Sequence, residues 1–375
     1  MSIVIAGFGT SSIERRSDRG ILVFAQAAII DALRDANLAR DEVDGYIGAP
    51  FATNAGSPHA EGGDEVSVRT ISQAMGFKHL RHAADLFRRY PADMVANAAQ
   101  ALIAGQTRYV VGLRALYNLQ GRDYATSDAD VAYGVDQFAK PFGYNIAGAR
   151  FAVRAQRYMA LNGATRADLY EIVSLARRNS ALNPQSVWKG KTVDLDAYMA
   201  APMVSSPHGL FDCDMPVCGA AAFVMCREED LPAGAQPAHV TGWAGFQNPG
   251  AVFSMSGRRP EDLASAQLYD GFSSMVWDWL EAFGICPEGK AWQFVREGGA
   301  ELDGRLPLNT FGGSLGEGRL HGMGHLREAY LQASGKAGPR QTARSGPCLV
   351  QIGPFDDSAF VMLEPEPRRC IASAQ

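Results

Sequence analysis

Hydrophobic and polar positions along this chain fall into blocks whose period changes. Ile3 to Gly9 (IVIAGFG) reads as a buried strand, and Ile21 to Leu38 follows with apolar residues at helical spacing, closing at the turn-like Ala39-Arg40-Asp41. Asp44 to Ala49 (DGYIGA) predicts a second strand and Val66 to Met75 a helix. Met94 to Gly105 predicts a helix of small residues that leads into a strand at Tyr109 to Leu113. Strand and helix in this alternation predict a layered α/β fold. From 114 to about 217 the alternation gives way to a polar stretch with helical periodicity at Ala147 to Leu161, Arg166 to Arg178 and Leu195 to Met203, which reads as a long helical insertion.

Beyond it, the apolar run Gly219 to Met225 suits a central strand, and Asp357 to Leu363 resembles it closely. Both contain Ala-Phe-Val-Met, at Ala222 to Met225 and at Ala359 to Met362, so an internal repeat is the simplest account. The repeat divides the chain into two similar α/β halves packed face to face. The first, 1–230, includes the insertion. The second, 231–375, is built from strands at His239 to Phe246 and Ala264 to Asp270, helices at Ser273 to Phe283 and Glu317 to Ala333, and strands at Cys348 to Gly353 and Ser358 to Leu363.

Composition narrows the function classes. With 375 residues, 47% hydrophobic and 20% charged, the chain can bury a sizeable core, and disordered, collagen-like and disulfide-scaffold classes are excluded. A net charge of −5 gives no global attraction to nucleic acid or to an anionic membrane surface. No stretch approaches the ~18 to 20 apolar residues of a membrane span, and the N-terminal apolar run has no basic segment before it, so it predicts a strand rather than a signal peptide. Cys213, Cys218, Cys226, Cys286, Cys348 and Cys370 form no CxxC and have no His at zinc spacing. They predict reduced thiols of a cytoplasmic protein and no metal site. Between 140 and 200, nine Lys or Arg stand against four acidic residues. That excess is either a solvated helical face or a patch that steers a polyanionic molecule, such as a phosphate-bearing cofactor tail.

Two segments offer chemistry. Ala264 to Ser273 (ASAQLYDGFS) runs from a strand through a turn into a helix and puts Tyr269 and Asp270 at the strand end, where α/β folds place their sites; a plain packing role for Tyr269 is the alternative. Leu308 to His325 (LNTFGGSLGEGRLHGMGH) is dense in Gly, which permits positive φ and close backbone approach, and the helix after it offers N–H groups to an oxyanion. It matches neither GxGxxG nor GxxxxGK[ST]. Arg319, His321 and His325 fall at the start of that helix, where the dipole disfavours a cation, and this points to an anionic partner. Glycines for tight packing and core histidines are the bland account of the same residues.

Taken in order, VIAGFGT, ALRDANLARDEVDGYIGA, ALIAGQTRYVVG, FDCDMPVCGAAAFVM, LYDGFS and NTFGGSLGEGRLHGMGH resemble the thiolase superfamily over nearly the whole chain, in particular its sterol-carrier and lipid-transfer-protein branch. The last segment is similar to the thiolase Asn-x-x-Gly-Gly…Gly-His-Pro-x-Gly stretch, with Arg319 in place of His and Leu320 in place of Pro. The resemblance implies a thiolase-like α/β fold and an intimate homodimer, with the insertion covering the active site. It also implies coenzyme A as part of the substrate, with no permanently bound cofactor. Asp270, Asn309 and Gly313 are expected to position the substrate or its oxyanion. Family members of this branch commonly pair with a separately encoded protein containing an OB-fold and a zinc ribbon, which is expected here too.

The departures from the family carry the functional argument. Thiolases place a nucleophilic Cys just before the helix read at Met94 to Gly105, where this chain has Phe87-Arg-Arg-Tyr-Pro-Ala-Asp93. A second Cys belongs where it has Gln351-Ile-Gly-Pro-Phe-Asp356, with Cys348 three residues earlier. Acyl-enzyme chemistry and Claisen condensation are therefore not expected. Retro-aldol cleavage of a β-hydroxyacyl-coenzyme A needs only an acid/base group and an oxyanion site. Steroid side-chain aldolases of this branch carry a Tyr in the YDxF segment, matched by Tyr269, and a second Tyr that falls on Arg319. The expectation is a carbon–carbon lyase for a bulky acyl group, with a steroid-like one implied by the resemblance alone. Tyr269 is its acid/base, Arg319 lowers the Tyr269 pKa or binds the enolate oxygen, and His321 orients its neighbours. Its rivals are an acyltransferase with another nucleophile, a non-catalytic acyl-coenzyme A or lipid-binding subunit, and a scaffold that completes a partner's site. The pocket walls are assigned to the insertion and to the loop Phe51 to Glu65.

Overall fold

The computed structural model describes residues 2–50, 66–87, 89–117, 134–144, 146–245, 248–355 and 357–366. In chain order its elements are β1 (Ile3–Thr10), α1 (Ile21–Asp35), β2 (Gly45–Gly48), α2 (Val68–Met75), β3 (His82–Asp85), α3 (Pro91–Ile103) and β4 (Tyr109–Leu116). Next come α4 (Ala147–Asn162), α5 (Arg166–Ala181), α6 (Leu195–Ala200), β5 (Met203–Ser205), β6 (His208–Gly209) and β7 (Gly219–Arg227). The chain continues with β8 (Ala238–Gly245), α7 (Pro249–Ser256), β9 (Ser265–Leu268), α8 (Met275–Ala282) and α9 (Ala291–Arg296). It closes with α10 (Gly313–Glu317), α11 (Met323–Ala333), β10 (Cys348–Ile352) and β11 (Ala359–Glu364).

Nine strands are hydrogen-bonded in the order β3-β2-β4-β7-β1-β8-β11-β10-β9. In the first half β2 is parallel to β4, β4 antiparallel to β7, and β7 antiparallel to β1. The second half repeats the series, β9 parallel to β10, β10 antiparallel to β11, and β11 antiparallel to β8. The repeated Ala-Phe-Val-Met therefore sits on β7 and β11, the same place in each series. The halves join through β1 and β8, where Val4 pairs with His239 and Ile5 with Ala238.

Alternation along these strands assigns each face to a core. Ile5 of β1, Phe223 of β7, Val350 of β10 and Val361 of β11 meet in one core, to which α3 and α11 contribute Val95, Leu102, Leu326 and Ala329. Their strand neighbours turn the other way. Val4 and Val224 pack under α1, while Leu349 and Phe360 pack with Trp277 and Leu280 of α8 and Leu169 of α5. Helices α3 and α11 thus lie between the halves, and both faces of the central strands are buried, which is why those strands read as unbroken apolar runs.

Sequence periodicity misplaces one helix that matters for the site. The helix expected over Glu317 to Ala333 is two helices, α10 and α11, separated by a loop in which Gly318 has φ of 119°, His321 of 47° and Gly322 of 92°. Arg319 and His321 therefore stand in a turn rather than inside a helix. Helix α3 begins at Pro91, three residues before the expected Met94, because Pro suits the first helical position and Asp93 accepts the Tyr90 N–H at 3.0 Å. The short edge strand β3 and helices α7 and α9 carry too little periodic signal to be read. The loop Phe51 to Glu65 and residues 118–133 of the insertion lie outside the described residues. No described helix is long and apolar enough to cross a membrane.

The first half closes by backbone-to-backbone contact between β1 and α1. A Cβ on Gly9 would stand 2.1 Å from the Ala32 nitrogen and 2.3 Å from the Ala28 oxygen. Gly9→Ala must push the helix off the strand, at a cost of about 1–3 kcal/mol. We expect a lower urea midpoint with an unchanged m-value; a wild-type midpoint would contradict this packing.

Candidate active site

Strand β9 ends at Leu268, and Asn309 fixes that end. The Leu268 N–H donates to Asn309 Oδ1 and Asn309 Nδ2 donates to the Leu268 carbonyl, both at 2.8 Å. Asp270, fully buried, accepts from the backbone N–H groups of Ser314 at 2.7 Å and Leu315 at 3.3 Å, at the start of α10, and lies 3.0 Å from His325 Nε2. Gly313 packs on this carboxylate so closely that a Cβ would sit 2.0 Å from Asp270 Oδ2. Asn309, Asp270 and Gly313 thus spend their contacts on one another's elements. They form the frame that aims Tyr269. The anionic partner expected for a cation here is Asp270, and the residue it holds is His325.

Tyr269 projects from that frame. Its N–H donates to the Gln351 carbonyl at 3.1 Å and to Gln351 Oε1 at 3.0 Å, and its ring lies against Gly271, where a Cβ would be 2.8 Å from ring carbon Cε1. Arg319 enters from the α10–α11 turn. Its N–H donates to the Met215 carbonyl at 2.8 Å, which places it beside Asp214, whose own N–H donates to the Gly271 carbonyl at 3.1 Å. Asp214 is buried, and burial pushes its carboxyl up to about 8, opposed by Arg319 and reinforced by Asp270. Burial, followed by the Asp214 carboxylate, pushes the Tyr269 phenol well above its ordinary value, and Arg319 only partly offsets them. Arg319 lowers the Tyr269 pKa, in the expected direction, but by less than burial and the Asp214 carboxylate raise it, so the phenol is neutral at rest.

His321 is held by Arg114, the one charged residue within the buried strand β4. The guanidinium donates to His321 Nδ1 at 2.7 Å and to the Arg89 carbonyl at 2.6 Å. Burial, Arg114 and Arg319 drive the imidazole pKa well below its usual value, so the ring is neutral. Arginine only donates, so Nδ1 must accept and the His321 proton resides on Nε2. The site thus contains a neutral N–H donor beside two guanidinium groups and a phenol.

Sequence reasoning passed over Asp214 and Arg114. Arg114 had a signal, a lone charge in an otherwise apolar strand, which a buried strand tolerates only with partners. The neighbouring Asp212 is different, being bonded to Tyr198, Ser273 and the Gly209 N–H. Burial raises the thiols of Cys213, Cys226 and Cys348 to about 12 and that of Cys286 to about 11. Of the nine Lys and Arg between 140 and 200, Arg154 pairs with Asp278 and Arg178 with Glu301. Arg177 has no acidic partner among the described residues; it lies buried 3.8 Å over the Trp188 ring, with Lys191 at 5.6 Å and Arg15 at 5.9 Å from the same ring.

Known proteins share this architecture. A family profile described as thiolase C-terminal domain-like matches residues 236–362. The solved Ltp2-ChsH2(DUF35) aldolase superposes with a TM-score of 0.86 over 98% of both chains at 26% identity. Fold and site together define a thiolase-like protein whose described residues place no reactive thiol at the site. In sequence the chain is 31% identical to a 17-hydroxy-3-oxo-4-pregnene-20-carboxyl-CoA lyase of Mycobacterium tuberculosis, across 88% of this chain and 91% of that protein. It is 30% identical to a steroid side-chain-cleaving aldolase of Thermomonospora curvata, across 88% of this chain and 90% of that one. The chain belongs to the thiolase superfamily, in the branch of the steroid side-chain-cleaving aldolases.

The buried acid makes stability depend on pH. Asp214 keeps its proton up to about pH 8 in the folded chain and loses it near ~3.9 when unfolded, so folding becomes less favourable as pH rises between those values. Asp214→Asn removes that loss. Its melting temperature should gain on wild type more at pH 8 than at pH 5, and a difference constant across this range would contradict a buried acid.

Proposed function

We propose that the protein is a carbon–carbon lyase that cleaves a β-hydroxyacyl-coenzyme A by retro-aldol chemistry, with a bulky, steroid-like acyl group of the kind named for its relatives. The observation that carries this reading is the convergence of Tyr269, Arg319 and the neutral Nε2–H donor His321 at one strand end, while the thiols of Cys213, Cys226, Cys286 and Cys348 have raised pKa values. An acyltransferase would need a nucleophile with a lowered pKa. Retro-aldol cleavage instead needs a group to take the β-hydroxyl proton and donors for the enolate.

In the proposed reaction Tyr269 first gives its proton to solvent, and the phenolate then takes the β-hydroxyl proton. The oxygen lone pair becomes the new carbonyl, the Cα–Cβ bond breaks, and its electron pair moves into the thioester carbonyl. The resulting enolate oxygen is held by His321 Nε2–H and Arg319 until Cα is reprotonated, giving a ketone or aldehyde and a shorter acyl-coenzyme A. At neutral pH Asp214 is in its acid form, so the carboxylate charge that most opposes tyrosinate is absent while Arg114 and Arg319 favour it. The coenzyme A phosphates are assigned to the cations gathered on Trp188. As for partners, the solved aldolase is named as a complex with a DUF35 protein, and we carry over a separate OB-fold and zinc-ribbon partner together with a second copy of this chain. Its open sheet edge, β3, suits such a contact.

Screening β-hydroxyacyl thioesters for released acyl-coenzyme A tests the reading, and no turnover on any of them would leave a binding subunit or scaffold. Tyr269→Phe removes one hydroxyl and should cost about 10²- to 10⁴-fold in kcat with the fold intact; near-normal turnover would remove Tyr269 from the chemistry. Ionisation of Asp214 opposes tyrosinate, so the wild-type rate should fall above about pH 8, and Asp214→Asn should lose that limb. Arg177→Ala should raise KM for a coenzyme A thioester and leave KM for the matching pantetheine thioester unchanged.

A further inference from the structure

We propose that Tyr90 is the second acid/base group of this site, the phenol that returns a proton to the α-carbon of the thioester enolate. The inference rests on the lyase reading above and concerns the half of the reaction which that reading leaves without a donor.

Tyr90 is the residue before α3, with its N–H held by Asp93 Oδ2 at 3.0 Å and Asp93 held in turn by Arg89 at 2.9 Å. Its ring lies on Gly353, where a Cβ would be 2.8 Å from the aromatic carbons, and the φ of 100° at that residue requires glycine. One side chain ties this spot to Tyr269: Gln351 Oε1 accepts the Tyr269 N–H at 3.0 Å, and its Nε2 donates to the Gly353 carbonyl at 2.7 Å. The two phenols are thus mounted on the same end of β10, one from each half of the chain. Arg114 lies between them, bonded to the carbonyl next to Tyr90 and to His321, and its charge acts on both phenols.

The hydroxyls of other buried tyrosines are committed, Tyr158 to Glu281, Tyr198 to Asp212 and Tyr330 to Asp35. Those of Tyr90 and Tyr269 make no hydrogen bond to a described residue, and both rings are only partly buried. Neither His321 nor Arg319 can do this work. His321, already neutral, would have to become an imidazolate, and Arg319 does not release its proton. Burial and Asp357 raise the Tyr90 phenol against the pull of Arg114 and Arg89. A thioester enolate is a far stronger base than a phenolate, so the transfer still runs downhill. Protons balance once Tyr269 has given its own proton to solvent: one then passes from the β-hydroxyl to the Tyr269 phenolate and one from Tyr90 to carbon, and a proton moving from Tyr269 to Tyr90, directly or through water, restores the phenolate for the next turnover.

Run backwards, the last step removes an α-proton from the short acyl-coenzyme A product, which can be followed without cleavage. The full chain is incubated with propionyl-coenzyme A in D2O, and deuterium at the α-carbon is measured by mass spectrometry. Cleavage of the β-hydroxyacyl thioester identified by screening is measured alongside. Wild type should exchange. Tyr90→Phe, which keeps the ring on Gly353, should lose about 10²-fold or more of both exchange and cleavage while binding the acyl-coenzyme A normally. Tyr269→Phe should lose cleavage and keep exchange. If Tyr90→Phe exchanges and cleaves at wild-type rates, or if Tyr269→Phe is the variant that loses exchange, the inference is overturned and the lyase reading stands. If wild type neither cleaves nor exchanges, the lyase reading fails and the inference falls with it.

Discussion

Arg114 brings a positive charge to the seam between the two halves and leaves 2% of its surface in solvent. Burial lowers its pKa to about 10, so it remains charged at neutral pH, and an ion in that position has to be met by acceptors. It finds one in each half, the Arg89 carbonyl at the start of α3 and His321 Nδ1 in the α10–α11 turn. The consequences spread from there. His321 is confined to one tautomer, its pKa falls, and the charge that could have resided on the imidazole stays on guanidinium groups instead. Strand β4 and the turn that carries Arg319 are held in register across the seam by the same two bonds.

The frame around Asp270 performs a second, separable task. A carboxylate with almost no exposed surface is stable there because two N–H groups at the start of α10 and His325 converge on it. That convergence fixes the end of β9, and with it the direction in which Tyr269 leaves the strand. Because His325 is engaged with Asp270 and His321 with Arg114, the two histidines of the Gly-rich segment serve different structures although they lie four residues apart.

These arrangements were unequally legible in the sequence. The two halves could be read from Ala-Phe-Val-Met because β7 and β11 have the same neighbours in the same orientation, and like surroundings select like residues. Tyr269 could be read because a strand end is a local feature. The turn at Gly318 to Gly322 could not, since its apolar spacing mimics a helix and only positive φ breaks it. Asp214, Arg114 and Tyr90 were hidden for a different reason. Each comes from a separate element, and what makes them a site is contact across 100 or more positions, such as Arg114 with His321 at a separation of 207. Local patterns carry no record of such contacts, although the single charge within the apolar strand β4 marked Arg114 as needing a partner.

In the proposed reaction the arginine at position 319 shifts proton transfer to other groups. A histidine there could bind an oxyanion and also pass a proton; arginine can do only the first, because its proton is not released near neutral pH. The imidazole that remains, His321, is locked neutral as a donor, so it too binds without transferring. Two guanidinium groups and a neutral N–H favour charge on oxygen, whether an enolate or a tyrosinate, and disfavour an imidazolium. An electrostatic environment of that sign suits the proposed reaction, whose intermediates are oxyanions from first step to last, and it leaves proton transfer to the tyrosines and to the buried acid Asp214.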